Sequence, residues 1–129
     1  MNSRKTQRKV LLAVREDCLD PRLLAAARGL CQRMEAELDI LLRAAGEAGD
    51  DLPPALAAFI ASLRAEGVPY TLSRKPELRR RDIVQYANTH ECIATVVIDS
   101  LAGWEGVAAD RAAAPWAKLA CPLVTAITP

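Results

Sequence analysis

An excess of charge of either sign is missing from this sequence. Its 17 lysines and arginines stand against 16 aspartates and glutamates, for a formal net charge of +1. Without a basic excess there is no electrostatic footprint for a phosphate backbone, so a nucleic acid is not an expected partner. Histidine is nearly absent, with His90 alone, and the four cysteines, at 18, 31, 92 and 121, form no C-x-x-C pair. A zinc site would have to be assembled from distant positions, and free thiols fit a reduced, cytoplasmic setting. Long apolar runs are missing too. After a basic tail, residues 1–8, the run from Val10 to Val14 is cut off by Arg15, Glu16 and Asp17. It is too short for a signal-peptide core or a membrane span, so no membrane insertion is expected. There is no internal repeat and no low-complexity tract; the alanine clusters at 25–27 and 112–114 read as close-packed helix surface.

What remains is a chain of 129 residues, enough for one sizeable core, so residues 9–129 are read as a single domain. Val10 to Val14 is a continuous apolar run of strand length, as a strand buried on both faces requires. Asp20-Pro21 offers a cap followed by proline at the first helical position, and Leu23, Ala27, Leu30, Cys31 and Met34 follow at helical spacing. This predicts a helix to about Glu37. Leu38 to Leu42 is a second strand, and the polar loop from Ala44 ends at Asp51, a candidate cap. Leu56, Phe59, Ile60 and Leu63 make the stripe of a second helix, closed by Gly67. Val68, Tyr70 and Leu72 alternate as an outer third strand. Pro76 opens a helix with Ile83, Val84 and Ala87 on its core face and the Arg79 to Arg81 run on its first turns. Ile93 to Ile98 is the strongest strand, and Leu123 to Ile127 is a fifth, after a short helix around Pro115 to Leu119.

Strands separated by helices need crossover connections, which are almost always right-handed and yield a parallel sheet covered on both faces. The expected architecture is a three-layer α/β/α sandwich. Ligands in such sheets bind beyond the carboxyl ends of the strands, at the switch point, which directs attention to Arg15 to Asp20 and Asp99 to Asp110.

The pattern resembles the universal stress protein family over nearly the whole chain. The resemblance rests on Val-Leu-Leu-Ala-Val at 10–14, Lys75-Pro76-Glu77 leading to Ile83-Val84-Gln85-Tyr86-Ala87, Ile93 to Ile98, and the ending Ala120-Cys121-Pro122-Leu123-Val124. It implies a five-stranded parallel sheet in the order 3-2-1-4-5, of the adenine nucleotide alpha hydrolase-like kind. It also implies a homodimer formed through the last strand, here Leu123, Val124, Thr125, Ala126 and Ile127. ATP-binding members carry an aspartate after the first strand and a G-x2-G-x9-G-[S/T] motif after the fourth. Aligned through those strands, the aspartate falls on Arg15 and the first glycine on Asp99. Counted back from Cys121-Pro122, the last glycine and its hydroxyl neighbour fall on Ala109 and Asp110. Gly103 and Gly106 have the first spacing, but Trp116 and Ala117 then stand where a glycine and a hydroxyl are needed.

Those glycines let backbone amides approach phosphate oxygens, with the next helix N-terminus adding favourable partial charge. Asp110 is placed to cap the last helix in the phosphate's stead. Asp99 would repel a triphosphate by a few kcal/mol at about 4 Å in a partly desolvated cleft. The expectation is a degenerate nucleotide cleft made of Arg15, Leu42, Asp99, Gly103, Gly106 and Asp110, with no tight ATP binding in the family's usual mode and no cofactor.

Other constellations are weighed against plain structural roles. Glu16, Asp17 and Asp20 invite comparison with a receiver-domain magnesium pocket, but no acid follows the third strand and no lysine follows the fifth, so capping and solvation are expected. Cys18 sits between a strand and a helix N-terminus, which favours the thiolate, yet lacks the C-x5-R loop of a phosphatase; the other cysteines read as core residues. His90 is placed to cap carbonyls at the end of the third helix; Arg79 to Arg81, with Arg74 and Lys75, offer an anion or partner patch, but a solvated helix face is expected of them. Trp104 and Trp116 flank the degenerate loop and fill it or mark a contact surface. The leading expectation is a non-catalytic, dimeric stress-response or regulatory module with a possible protein partner. The alternatives are an adenine-nucleotide (AMP or ATP) sensor and a Cys18-based redox protein.

Overall fold

Five consecutive side chains of Lys9–Arg15 (β1), Val10 to Val14, are at most 1% exposed. Only a strand with sheet neighbours on both edges and helices on both faces loses all its surface in this way. The computed structural model describes residues 8–16, 19–44, 52–90, 92–99 and 119–126. Within them β1 is followed by Pro21–Met34 (α1), Glu37–Arg43 (β2), Pro54–Ala65 (α2), Tyr70–Lys75 (β3), Arg80–Thr89 (α3), Ile93–Ile98 (β4) and Leu123–Thr125 (β5). The sheet is parallel throughout, in the order β3-β2-β1-β4-β5, as expected.

Residue parity divides the core in two. Val10, Leu12 and Val14 of β1 join Leu38, Ile40 and Leu42 of β2 under α1 and α2, with Leu23, Ala27, Leu56 and Leu63 facing them. Leu11 and Ala13 join Leu41, Val96 and Ile98 under α3, packed by Leu78, Ile83 and Ala87. Right-handed crossovers dictate this division: the chain moves one way from β1 to β3 and then crosses back, so α3 must cover the opposite face from α1 and α2.

Several boundaries differ from expectation for local reasons. α1 stops at Met34 instead of near Glu37, because Glu35 takes a left-handed conformation, φ 53°, and Ala36 N–H returns to the Cys31 carbonyl at 2.9 Å. No glycine announces that stop. β3 starts at Tyr70, because Val68 N–H closes α2 on the Leu63 carbonyl at 2.9 Å, beside Gly67 at φ +74°. α3 starts at Arg80, one turn after Pro76. Leu78, 1% exposed, is drawn into the core first, and the Asp82 carboxylate then accepts the Arg79 N–H at 2.9 Å as a cap. β5 is Leu123–Thr125, prolonged by Ala126 N–H to the Ile98 carbonyl at 2.9 Å. Ile127, the 1–7 part of the tail, the loop of residues 45–51 with its Asp51 cap, and residues 115–118 of the expected last helix lie outside the described residues. Leu119 is described and is not helical.

One polar group is set into the core. Asp39, 3% exposed on β2, accepts hydrogen bonds from the Thr71 hydroxyl at 3.0 Å and the Tyr86 hydroxyl at 2.5 Å. Burial, then the bond to Asp39, pushes the Tyr86 phenol well above its usual range. These bonds tie β2, β3 and α3 together, since leaving a buried carboxylate without donors is costly. Among the described residues no helix is long and apolar enough to cross a membrane.

Glu35 carries a cost of about 1 kcal/mol or more for a side chain in the left-handed region, which glycine avoids. Glu35→Gly is therefore expected to raise stability by about 0.5–1 kcal/mol, read as a higher urea midpoint with an unchanged slope. A lower midpoint would show that α1 does not end in this conformation in solution.

Candidate functional site

The switch point lies between β1 and β4, where the crossovers leave the sheet in opposite directions. Two residues end those strands there, Arg15 and Asp99, and the structure joins them: an Arg15 guanidinium nitrogen donates to an Asp99 carboxylate oxygen. The side chains are 15% and 6% exposed, so the pair is largely withdrawn from water. Far apart in sequence, they meet because β1 and β4 are adjacent and in register, with Leu12 opposite Val97. Asp99, singled out in the sequence as a repulsive charge, is thus a partner of Arg15.

Of the remaining expected cleft residues, Leu42 alone is among the described residues. Leu42 is fully buried, with its side chain in the core beneath α1 and α2, so only its backbone is near the strand ends. Gly103, Gly106 and Asp110, together with Ala109, Trp104, Trp116 and Ala117, lie outside the described residues, as do Asp17 and Cys18. Glu16 is exposed, and its N–H extends the ladder to the Arg43 carbonyl at 3.0 Å. Asp20 caps α1, accepting from Arg22 N–H at 2.8 Å and from the Arg22 guanidinium at 2.9 Å. Those bonds hold its carboxyl below the usual range. Among the described residues no group of three or more metal-ligating side chains is assembled.

The cysteines are not uniform core residues. Cys31 is buried on the inward side of α1, and burial pushes its thiol up to about 11. Cys121 is half-buried, with its thiol raised for the same reason. Cys92, expected in the core, is exposed, because it lies in the turn before β4 begins. His90 ends α3 with Nδ1 at 2.7 Å from the Tyr86 carbonyl and its ring stacked on Tyr86 at 3.9 Å, the structural role expected of it.

Of the Arg79 to Arg81 run, Arg79 and Arg81 are exposed, as expected of a solvated face, and Arg80 is not. Arg80 is 2% exposed and shares the inward side of α3 with Ile83, Val84 and Ala87. The signal was present in the sequence, since Arg80 is three, four and seven residues from these apolar positions. The strand ends add a second feature that reading one strand at a time misses. Arg15, Arg43 and Lys75 stand opposite one another in the register of β1, β2 and β3.

A parallel sheet in this order, with the chain reversing between β1 and β4, is the fold of the universal stress proteins. No protein-family model matches the sequence, and no curated protein matches it. Solved structures do. A universal stress protein from Archaeoglobus fulgidus superposes with a TM-score of 0.61 at 15% identity, over 92% of each chain. The universal stress protein from Archaeoglobus fulgidus in complex with dAMP gives 0.62 at 15%, over 93% of this chain and 98% of that one. A universal stress protein family member from Burkholderia pseudomallei gives 0.55 at 17%, over 93% and 96%. At these identities the likeness is one of fold.

Removing one member of a withdrawn ion pair strands the other, typically at about 3–5 kcal/mol, whereas replacing both by apolar groups is often close to neutral. Asp99→Ala is expected to cost about 3 kcal/mol in urea unfolding, and Arg15→Met with Asp99→Leu much less than the sum of the two single changes. Strict additivity would place the two residues outside one another's reach.

Proposed function

We propose that the chain is a non-catalytic, universal-stress-protein-like regulatory module of the cytoplasm, one that does not bind ATP in that family's usual mode. The observation that carries this reading is the Arg15–Asp99 pair. It stands at the switch point, on the two positions where the resemblance places the aspartate and first glycine of ATP-binding members. A carboxylate after β1 is available to a nucleotide; an arginine already bonded across the sheet is not. A glycine after β4 leaves room for backbone amides to meet phosphate, and a buried aspartate takes that room with negative charge.

A second reading has one specific support. The structure of a protein of this fold has been solved in complex with dAMP, and the carboxyl end of a sheet of this kind offers strand-end backbone to a ligand. In that case the chain is an adenine-nucleotide sensor using a modified cleft. Base selectivity separates the two readings. Calorimetric titration of refolded, ligand-free protein is expected to show no preference for ATP over GTP and no saturable heat with adenosine. Saturable adenosine binding, or a clear preference for ATP, would promote the sensor.

The module is further proposed to act as a homodimer through β5. Among the described residues this strand pairs only with β4, and Leu123 and Val124 are half-buried by one chain alone. An apolar edge left open is a site for pairing with another chain. Val124→Asp is expected to halve the mass measured by light scattering while β1 to β4 stay folded by circular dichroism. A mass equal to that of the unaltered protein would move the interface elsewhere.

A further inference from the structure

β5 is the shortest strand among the described residues, Leu123–Thr125, and there it pairs with β4 alone. Leu123 and Val124 are half-buried and Thr125 is exposed, whereas Val96, Val97 and Ile98, their partners in register, have no exposed surface. A strand this short gains little from its own burial to offset the entropy of ordering it. Its place on the sheet is therefore set in large part by what grips the chain beside it.

Side chains of two other elements grip the approach to β5. The Thr95 hydroxyl of β4, on a residue 5% exposed, donates to the Pro122 carbonyl at 2.9 Å. The Val96 N–H donates to the same oxygen at 3.0 Å. Proline has no N–H, so at this position the carbonyl is all that the backbone can offer the ladder, and both donors of β4 converge on it. Two residues earlier the Ala120 N–H donates to the Asn88 side-chain oxygen, on the last turn of α3, at 2.9 Å. Between these anchors Cys121 packs on the core beneath α3, with Leu119 and Leu123. The turn that carries Asn88 is itself fixed, because the Thr89 hydroxyl bonds the Gln85 carbonyl at 2.9 Å and His90 stacks on Tyr86, which is tied to Asp39 of β2.

We propose that Thr95 and Asn88 are positioning residues that latch β5 onto the sheet, and that β5 opens as a unit of its own while β1 to β4 stay folded. Local opening of this kind belongs to elements with few buried contacts, and β5 answers that description. Its consequence rests on the reading of β5 as the dimer edge: a partner chain can pair only with the closed strand, so dimerisation and the latch act on one equilibrium. A partner that binds the closed form alone must then slow the opening.

The test is amide hydrogen exchange of the full chain, read at the Val96 and Ala126 N–H groups, which join β4 to the two ends of β5 through Pro122 and Ile98. In the unaltered protein both are expected to exchange about tenfold or more faster than the amides of Val10 to Val14, as separate opening requires. Thr95→Val, which keeps the shape and removes the hydroxyl, and Asn88→Ala should each speed them about fivefold further, as the loss of one hydrogen bond does. Ile40→Val, in the core beneath α1 and α2, is the control: it lowers overall stability without touching the latch and should leave both amides as they were. The proposal is overturned if Val96 and Ala126 exchange no faster than β1, if neither Thr95→Val nor Asn88→Ala speeds them, or if Ile40→Val speeds them equally. Repeating the exchange at rising chain concentration separates the two readings. Slower exchange at Val96 and Ala126 supports the coupling of latch and dimer. Exchange that does not change with concentration removes β5 as the dimer edge, and the variants then decide the latch by themselves.

Discussion

Everything in this molecule depends on β1 being buried from both sides and paired on both edges. Its five central side chains have no more than 1% of their surface exposed. Three of them anchor the core beneath α1 and α2, and two anchor the core beneath α3. A polar residue at any of the five would be stranded between layers. The first position where charge is tolerated is therefore Arg15, at the strand's end, and the position of the site follows from that constraint. β1 lies between β2 and β4, the two strands from which the chain leaves in opposite directions, so its carboxyl end is the switch point of the sheet.

The same constraint explains why the architecture was legible in the sequence. Val10 to Val14, Leu38 to Leu42 and Ile93 to Ile98 are uninterrupted apolar runs, which sheets covered on both faces demand. Order and handedness followed from the alternation of strands and helices and from the resemblance. The ends of the helices were less legible because their signals are not compositional. Glu35 ends α1 in a conformation usually left to glycine, and Asp82 caps α3 three residues after a backbone position, not after a capping side chain. The burial of Leu78 decides where α3 starts, and only the folded core sets that.

The site was legible residue by residue and not as an assembly. Arg15 and Asp99 were singled out as departures from a nucleotide-binding pattern, but their mutual bond depends on the pairing of β1 with β4. Arg80 was hidden inside an arginine run that reads as solvent-facing, although its spacing to Ile83, Val84 and Ala87 places it inward. Arg43 was passed over because it ends a strand as an ordinary polar stop. Its meaning comes from the register, which sets it beside Arg15 on one side and Lys75 on the other.

Charge at the carboxyl end can then be understood as one arrangement. Where ATP-binding members of the resembled family are open at the switch point, this chain places an arginine and an aspartate that neutralise one another. Both side chains are largely withdrawn from water, so their attraction is only weakly screened by solvent or salt, and it ties the ends of β1 and β4 together at the place where the crossovers diverge. Asp39, the other buried acid among the described residues, is committed in the same way, to Thr71 of β3 and Tyr86 of α3. Each buried carboxylate of this sheet therefore joins separate elements of the fold, which is the condition under which a charge can be withdrawn from water at tolerable cost.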